Sequence, residues 1–199
     1  MSNVSVAILA GGRSRRMGCD KAFLQLGAST VLEKVITAVT PLAMEIMLIA
    51  DNTADFARFG QPVFPDLDTG LGPIGGLRTA LVHAPSEALL LLACDLPFLK
   101  TEFLYFLVDK LQTHQAVVPR NSKGLEHLCA LYTRSCLTAV ESSIARRELH
   151  MASFHQDLDM RILEPAEWEV FDPGQTLFTN LNAPADYQRA QILLGEESP

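Results

Sequence analysis

The sequence predicts an α/β domain built on a largely parallel central sheet. Apolar runs of strand length alternate along the chain with segments of helical periodicity, which is the pattern of such domains. Two of these runs lead directly into glycine-rich loops. The most apolar run, residues 88–93, contains no polar side chain, as expected for a strand that helices cover on both faces. The 199 residues have the length of one domain.

The first half of the chain is predicted to alternate strands and helices. Residues 4–10 form the first strand. Thr30 and Glu33 fit a capping box that begins a helix, and Pro41 stops this helix after about Val39. Further strands are predicted over residues 45–50, 62–64 and 88–93, and helices over residues 76–84 and 101–112.

The second half continues the alternation. Strands are predicted over residues 116–118, 127–132, 161–163 and 178–182, and helices over residues 135–146 and 148–157 and from Pro184 onward. A polar loop, residues 120–124, separates the first two of these strands. We expect the apolar strand 88–93 at the centre of the sheet, with Asp95 at its carboxyl end.

A basic loop that contains two glycines follows the first strand. Gly11 and Gly12 allow the backbone to approach a ligand and to present amide hydrogens to it. Arg16 and Lys21 are two of four cations within the nine residues 13–21. Because these charges would repel one another in a compact loop, they indicate a bound polyanion; the alternative is a solvated basic turn. The spacing matches neither the Walker loop nor the dinucleotide fingerprint.

Composition and charge narrow the classes of function. The net charge of −7 argues against general binding to nucleic acid or to anionic membranes, which requires a basic face. No uncharged run approaches the roughly 20 residues that span a bilayer, and the N-terminus has no secretory pattern. We therefore expect a cytoplasmic protein that binds a small anionic ligand.

Two acidic residues are expected near the basic loop, because ligands gather at the carboxyl edge of an open parallel sheet. Asp66 begins a glycine-rich loop that ends at Gly76, and Asp95 follows the most apolar strand. A carboxylate in so apolar a setting needs a cation or hydrogen-bond donors; a helix cap or a salt bridge to a lysine are the alternatives. With Mg²⁺ between Asp95 and a triphosphate, Arg16 and Lys21 would neutralise the phosphates during nucleotidyl transfer.

Four segments, in this order, resemble a known family. The pattern L-A-G-G-x-S-x-R-M-G-x-D-K, from Leu9 to Lys21, resembles the signature of the molybdenum cofactor guanylyltransferases. The segments G-P-I-G-G after Asp66, C-D-L-P around Asp95 and N-L-N-A-P from Asn180 are similar to further motifs of that family. The resemblance extends over the whole chain.

This resemblance implies a fold and a reaction. The fold is a Rossmann-like three-layer α/β/α domain, like that of the nucleotide-diphospho-sugar transferases, over residues 1–199. Residues 1–100 would form the nucleotide-binding part, and residues 101–199 the part that binds the acceptor. The reaction transfers GMP from Mg·GTP to molybdopterin and releases pyrophosphate, with Mg²⁺ as the cofactor. Transient contacts with molybdopterin-handling proteins and with molybdoenzyme chaperones are also implied.

The resemblance further assigns residues by position, in two groups. The residues of the nucleotide side are Leu9, Ala10 and Gly11 at the guanine and ribose, Lys21 at the phosphates, Asp66 at the nucleoside and Asp95 at Mg²⁺. The residues of the pterin side are His127, Asn180 and Asn182. A buried histidine and two asparagines in turns or caps are the alternative interpretation of this second group.

The chain departs from the family pattern at two places. Family members often carry Asn at the end of the second strand, where this chain has Ala50 followed by Asp51 and Asn52. Their His-Pro pair is replaced by His127 and Leu128, so the local φ angle that proline would fix is left free here.

Two other functions remain open at this stage. The first is a related nucleotidyltransferase that uses CTP or another phosphorylated acceptor. Gly11 and Gly12 favour GTP, since cytidylyl relatives usually read Ala-Ala-Gly there. The second is a non-catalytic GTP-binding accessory protein, against which the presence of Arg16, Lys21 and Asp95 argues.

Overall fold

The computed structural model describes residues 4–11 and 21–196. Its strands are β1 (Val4–Leu9), β2 (Gln25–Leu26), β3 (Ser29–Thr30), β4 (Ala43–Ile49), β5 (Val63–Phe64), β6 (Ala88–Ala93), β7 (Ala116–Asn121), β8 (Gly124–Leu125), β9 (Cys129–Thr133) and β10 (Met160–Leu163). Its α-helices are α1 (Val31–Val39), α2 (Thr53–Phe56), α3 (Pro73–His83), α4 (Thr101–Asp109), α5 (Leu137–Ala145), α6 (Pro165–Trp168) and α7 (Pro184–Glu196).

Eight of these strands form one sheet that is mostly parallel, as predicted. The order is β10-β7-β9-β6-β1-β4-β5, and β8 pairs with β7. β1 runs parallel to both β4 and β6, whereas β9 runs antiparallel to β6 and β7. β6 occupies the centre of the sheet, which confirms the position expected from its composition.

The alternation of side chains along β6 explains the three layers. Leu90 and Leu92 belong to one buried cluster, together with residues of α1 and α4. Leu89 and Leu91 belong to a second cluster, together with residues of α3 and α5. Because successive residues of a strand point to opposite faces, an all-leucine run requires apolar helices on both sides.

The first helix begins where the sequence predicts. Thr30 Oγ1 accepts a hydrogen bond from Glu33 N at 3.3 Å, and Glu33 Oε2 accepts one from Thr30 N at 2.7 Å. This reciprocal pair is the predicted capping box, and α1 ends at Val39. Two later helix boundaries differ from the prediction: α3 begins at Pro73 instead of residue 76, since proline suits the first position of a helix, and α4 ends at Asp109.

The predicted helix over residues 148–157 is wrong. Arg147 adopts a left-handed φ of 61° just after α5, which stops helical propagation. Ser153 Oγ then donates to the carbonyl oxygens of Glu148 and His150, so these carbonyls are satisfied by a side chain. Only the short 3-10 helix His155–Asp157 forms in this segment.

The predicted strand over residues 178–182 is also wrong. Within this segment Thr179 N donates to Thr176 O, Leu181 N donates to Asp95 O at 3.3 Å, and Asn182 N donates to Asp186 Oδ2 at 2.9 Å. These bonds use amide hydrogens that a strand would need for pairing.

The polar loop predicted over residues 120–124 is in part a hairpin. β7 continues to Asn121 and pairs with β8, and Asn121 Oδ1 accepts from Lys123 N and Gly124 N. Within the described ranges, no helix is both long and apolar enough to cross a membrane.

Candidate active site

The carboxyl ends of β1, β4 and β6 lie side by side and form one wall of a cavity of about 960 Å³. Ala10 N and Gly11 N both donate to Ile49 O at 3.0 Å, and Cys94 N donates to Leu9 O at 3.2 Å. These bonds continue the sheet just past the strand ends. They therefore place the first residues of the loops after β1 and β6 at the same edge.

The described residues that the sequence assigned to the nucleotide come together at this cavity. They are Leu9, Ala10, Gly11, Lys21, Asp66 and Asp95, and all of them line it. Arg16, the other residue expected at the phosphates, lies outside the described residues. Asp51 and Asn52 also line the cavity, so the polar side chains that follow Ala50 are at the same site.

Lys21 connects two distant segments of the chain. Its Nζ donates to Asp95 Oδ2 at 3.2 Å and to Asn182 Oδ1 at 2.6 Å. The Lys21 and Asp95 side chains are only 13% and 14% exposed, so water screens this ion pair less than a surface pair. The salt bridge to a lysine, one of the sequence-based alternatives for Asp95, is therefore present.

Asp186, which the sequence analysis missed, fixes the backbone next to Asn182. Its Oδ2 accepts from Asn182 N at 2.9 Å and from Ala183 N at 2.8 Å. Leu181 N also donates to Asp95 O at 3.3 Å. The signal for Asp186 was its place in the first turn of α7, where a carboxylate binds free amide hydrogens.

The loop that begins at Asp66 is held by Thr79, a buried residue of α3 with no motif to reveal it. Thr79 Oγ1 accepts from Leu67 N at 3.1 Å and donates to Gly75 O at 3.0 Å. Burial, and then the charge of Asp51, raise the pKa of Asp66. Asp66 Oδ1 is buried and has no hydrogen-bond partner in the part of the chain that the structure describes.

Glycine is required at two positions of this loop, for different structural reasons. Gly72 has φ +67° and ψ −152°, a conformation that side-chain-bearing residues rarely adopt. A Cβ atom on Gly76 would lie 2.7 Å from Leu9 Cδ2, so the glycine lets α3 approach the end of β1 closely. The loop can thus turn sharply at the cavity while its helix packs against the sheet.

A second cavity of about 340 Å³ lies on the other side of Asp95. It is lined by Asp95 together with the three residues predicted for the pterin side, His127, Asn180 and Asn182. Glu126 and Met151, which sequence analysis missed, also line it. Asp95 therefore lines both cavities.

Buried polar atoms that lack partners among the described residues occur on two residues that line this second cavity, His127 and Asn180, and on His155, which packs against His127. His127 and His155 stand with ring centroids 4.7 Å apart. Burial lowers the pKa of both histidines, that of His155 to about 4 with a further contribution from His127. Over the described ranges, His127 Nδ1, His155 Nε2 and Asn180 Oδ1 are buried without a hydrogen bond.

The donor set at Asp95 fits a divalent ion that arrives with phosphate. Among residues 4–11 and 21–196, no cluster of three or more His, Cys, Asp or Glu side chains could hold a metal. Mg²⁺ is commonly bound through one or two carboxylates, with phosphate oxygens and water as its other ligands. Asp95 can supply that one carboxylate at the junction of the cavities.

The fold and this site define a class of protein. A cavity between glycine-containing loops at the carboxyl edge of the sheet, a lysine and a carboxylate at its end, and an adjoining second cavity are the features of a nucleotidyltransferase. Comparison with known proteins specifies the family. The model of the MobA-like NTP transferase domain matches residues 6–160, and the chain belongs to this family.

Relatives of known name agree with this assignment. A protein of Carboxydothermus hydrogenoformans named "probable molybdenum cofactor guanylyltransferase" is 34% identical over 189 residues, which are 95% of each chain. A molybdenum cofactor guanylyltransferase of Desulfosudis oleivorans is 29% identical over 98% of this chain and 97% of its own length. The family resemblance noted in the sequence is thereby confirmed.

Solved structures agree with the fold. The molybdopterin-guanine dinucleotide biosynthesis protein A of Archaeoglobus fulgidus superposes with a TM-score of 0.84 at 25% identity, over 96% of this chain and 99% of its own. The 2-C-methyl-D-erythritol 4-phosphate cytidylyltransferase of Thermus thermophilus shares the fold, with a TM-score of 0.72 at 20% identity over 96% and 98% of the two chains. The predicted nucleotide-diphospho-sugar transferase-like fold is confirmed.

Proposed function

We propose that this protein transfers GMP from GTP to molybdopterin, which yields molybdopterin guanine dinucleotide and pyrophosphate. The observation that carries the proposal is the position of Asp95, which lines both cavities and is paired with Lys21. A transfer between two substrates requires their reacting phosphates to meet, and Asp95 marks the place where the two cavities meet.

The backbone after β1 supports guanine as the base. The amide hydrogens of Ala10 and Gly11 are already donated to Ile49 O. A base held at these residues is therefore contacted through carbonyl oxygens, which accept hydrogen bonds. Guanine presents its N1–H and 2-amino donors to such acceptors, whereas cytosine lacks this pair of adjacent donors.

The chemical step needs little acid–base catalysis. A terminal phosphate oxygen of molybdopterin attacks the α-phosphorus of GTP, a new P–O bond forms, and the bond to the β-phosphate oxygen breaks, so pyrophosphate leaves with the electron pair. Lys21 and Arg16 are proposed to neutralise the charge on the phosphates. Asp66 is proposed to contact the nucleoside. Mg²⁺, held by Asp95, would supply further neutralisation of the triphosphate.

We propose that His127, Asn180 and Asn182 bind the acceptor. All three line the second cavity, whose volume of about 340 Å³ falls in the range of small-molecule sites. We propose that the nucleotide-binding part, about residues 1–100, and the acceptor part, about residues 101–199, meet through the contact of Lys21 with Asn182. Contact with molybdopterin-handling proteins and molybdoenzyme chaperones would deliver and remove the cofactor.

A pyrophosphate-release assay tests the proposed function. The protein is incubated with Mg²⁺ and GTP, CTP or ATP, with and without molybdopterin, and the pterin product is analysed by mass spectrometry. We expect release only with GTP and molybdopterin together, and a product whose mass has increased by that of GMP less one water. Preference for CTP would assign the chain to the cytidylyl relatives. Binding of GTP without any release would indicate an accessory protein.

A further inference from the structure

Glu126 is an acidic residue of the second cavity to which neither the sequence motifs nor the proposed reaction gives a role. It follows β8, and its backbone N donates to Pro119 O at 2.8 Å while its backbone O accepts from Cys129 N at 3.1 Å. Its Oε1 accepts a hydrogen bond from the side chain of Asn121. Asn121 is itself fixed, because its Oδ1 accepts from Lys123 N and Gly124 N. The Glu126 carboxyl is therefore held in one place by the β7–β8 hairpin.

The position of Glu126 is electrostatically costly. Burial is the main reason that the pKa of its carboxyl is raised; the hydrogen bond from Asn121 and the charge of Lys123 offset this in part, and the charge of Asp95 adds to it. In the described part of the chain, Glu126 forms no ion pair within 4.0 Å, and Oε2 has no donor. A carboxylate in such a place becomes stable when a ligand brings N–H donors to it.

The neighbouring polar atoms also offer acceptors. Asn180 Oδ1 is buried next to the cavity without a hydrogen bond from any described residue. Glu126 and Asn180 thus present acceptor oxygens in the second cavity, while Lys21 lines the first cavity and is paired with Asp95, which lines both. A phosphate would be repelled at Glu126 and attracted at Lys21. This separation of charge would orient an acceptor substrate that carries a phosphate at one end and a ring rich in N–H donors at the other.

We propose that Glu126 selects the ring of the acceptor by accepting hydrogen bonds from two adjacent donors of a 2-amino-4-oxopteridine, the N3–H and the 2-amino group. This inference rests on the proposed function, since it concerns the acceptor of that same reaction. A carboxylate pairs well with two parallel N–H donors, and a ring that replaces the amino group by an oxo group would place an acceptor against it. Glu126 is thus a specificity-determining residue for the ring.

Two stable ring compounds provide the test. Pterin carries the 2-amino group, and lumazine carries a 2-oxo group in its place together with a proton on N1, while both rings keep the N3–H. Both are tested as inhibitors of GMP transfer from GTP to molybdopterin by the full-length protein. We expect pterin to compete with molybdopterin at least about tenfold more strongly than lumazine, as the loss of a paired hydrogen bond predicts.

The matched variants are Glu126→Gln and Glu169→Gln. Gln keeps an oxygen for Asn121 and so preserves the hairpin, but it replaces the second carboxylate oxygen with a donor. In E126Q we expect the KM for molybdopterin to rise about tenfold or more, the preference for pterin over lumazine to vanish, and the KM for GTP to stay unchanged. Glu169 is exposed and lies outside both cavities, so E169Q should behave like the wild type.

The outcomes separate this inference from the proposed function. If the wild type transfers GMP but pterin and lumazine inhibit equally, or if E126Q keeps the preference, Glu126 does not select the ring. If the wild type transfers no GMP to molybdopterin, the proposed function itself fails.

Discussion

Lys21 and Asp95 form an ion pair at 3.2 Å although 74 positions separate them in the sequence. The pair brings the end of the basic loop to the end of the central strand β6. Each member is a group that a Mg·triphosphate would bind, the ammonium by its phosphates and the carboxylate by its metal. The two groups neutralise each other, which keeps a polar pair of low exposure satisfied, and we expect such a ligand to replace both contacts.

Replacement of Asp95 by Asn is expected to abolish turnover in a folded protein. The amide oxygen can still accept from Lys21, but it carries no charge for a metal ion, and the loss of a metal-holding carboxylate should reduce kcat by about 100-fold or more. Pyrophosphate release measures the rate, and circular dichroism measures the fold. A normal GTP-dependent rate in D95N would exclude the proposed role of Asp95.

Replacement of Lys21 by Ala is expected to weaken binding of GTP more than binding of GMP. Lys21 is proposed to contact the phosphates, and a charge-assisted hydrogen bond of this kind contributes about 1.5–3 kcal/mol, or roughly 10- to 100-fold in affinity. Calorimetric titration with GTP, GDP and GMP measures the difference. Lys34→Ala, on α1, is the matched control. Equal losses for GTP and GMP would show that Lys21 does not act on the outer phosphates.

The helix α1 and the strand β6 next to the site could be predicted from the sequence, because each depends on local signals. The capping box of Thr30 and Glu33 and the run of leucines in β6 each determine structure by themselves. The segment 148–157 was predicted wrongly because the Ser153 side chain captures backbone carbonyls that a helix would use. The segment 178–182 was predicted wrongly because the amides of Leu181 and Asn182 donate to Asp95 and Asp186 instead of to a neighbouring strand.

The residues that hold the site from behind could not be predicted for a related reason. Thr79 acts on Leu67, 12 residues away, and Glu126 acquires its setting from Asn121 and from Asp95 across the sheet. Such roles depend on the pairing of elements in space, and no spacing in the sequence encodes them. The glycine loop and Asp95 could be found because their residue types are chemically restrictive on their own.

Gly72 offers a test of the backbone geometry at the entry to α3. Its φ of +67° and ψ of −152° suit glycine, and a Cβ there would meet no atom within 4 Å, so Gly72→Ala should act through backbone strain alone. We expect a loss of about 1–3 kcal/mol in the free energy of unfolding, or a displaced loop with weaker GTP binding. Gly195→Ala is the matched control, because it also meets open space but without a positive φ, and should not destabilise. Stability is measured by urea denaturation, and GTP affinity is measured beside it. If the two variants are equally stable and both keep the GTP affinity of the wild type, Gly72 is not needed for its positive φ.

His155 is expected to make the folded state sensitive to acid. Burial, and then His127, lower its pKa in the folded state from 6.5 to about 4, whereas the unfolded chain takes up the proton near pH 6.5. The unfolded state therefore binds more protons between these values, and the free energy of unfolding falls as the pH drops from 6.5 to about 4. Above pH 6.5 and below about 4 this residue adds no slope.

The variant His155→Phe keeps a ring against His127 but cannot be protonated. Its stability should depend less on pH over the same interval than that of the wild type, by on the order of 2 kcal/mol in total. Urea denaturation at several pH values from 7 to 4 measures this difference in slope, and His150→Gln, which replaces an exposed histidine, is the reference for the loss of one histidine. An H155F profile parallel to that of the wild type would show that His155 is protonated in the folded state as readily as in the unfolded chain. The neutral ring pair beside the second cavity would then not persist below pH 6.5.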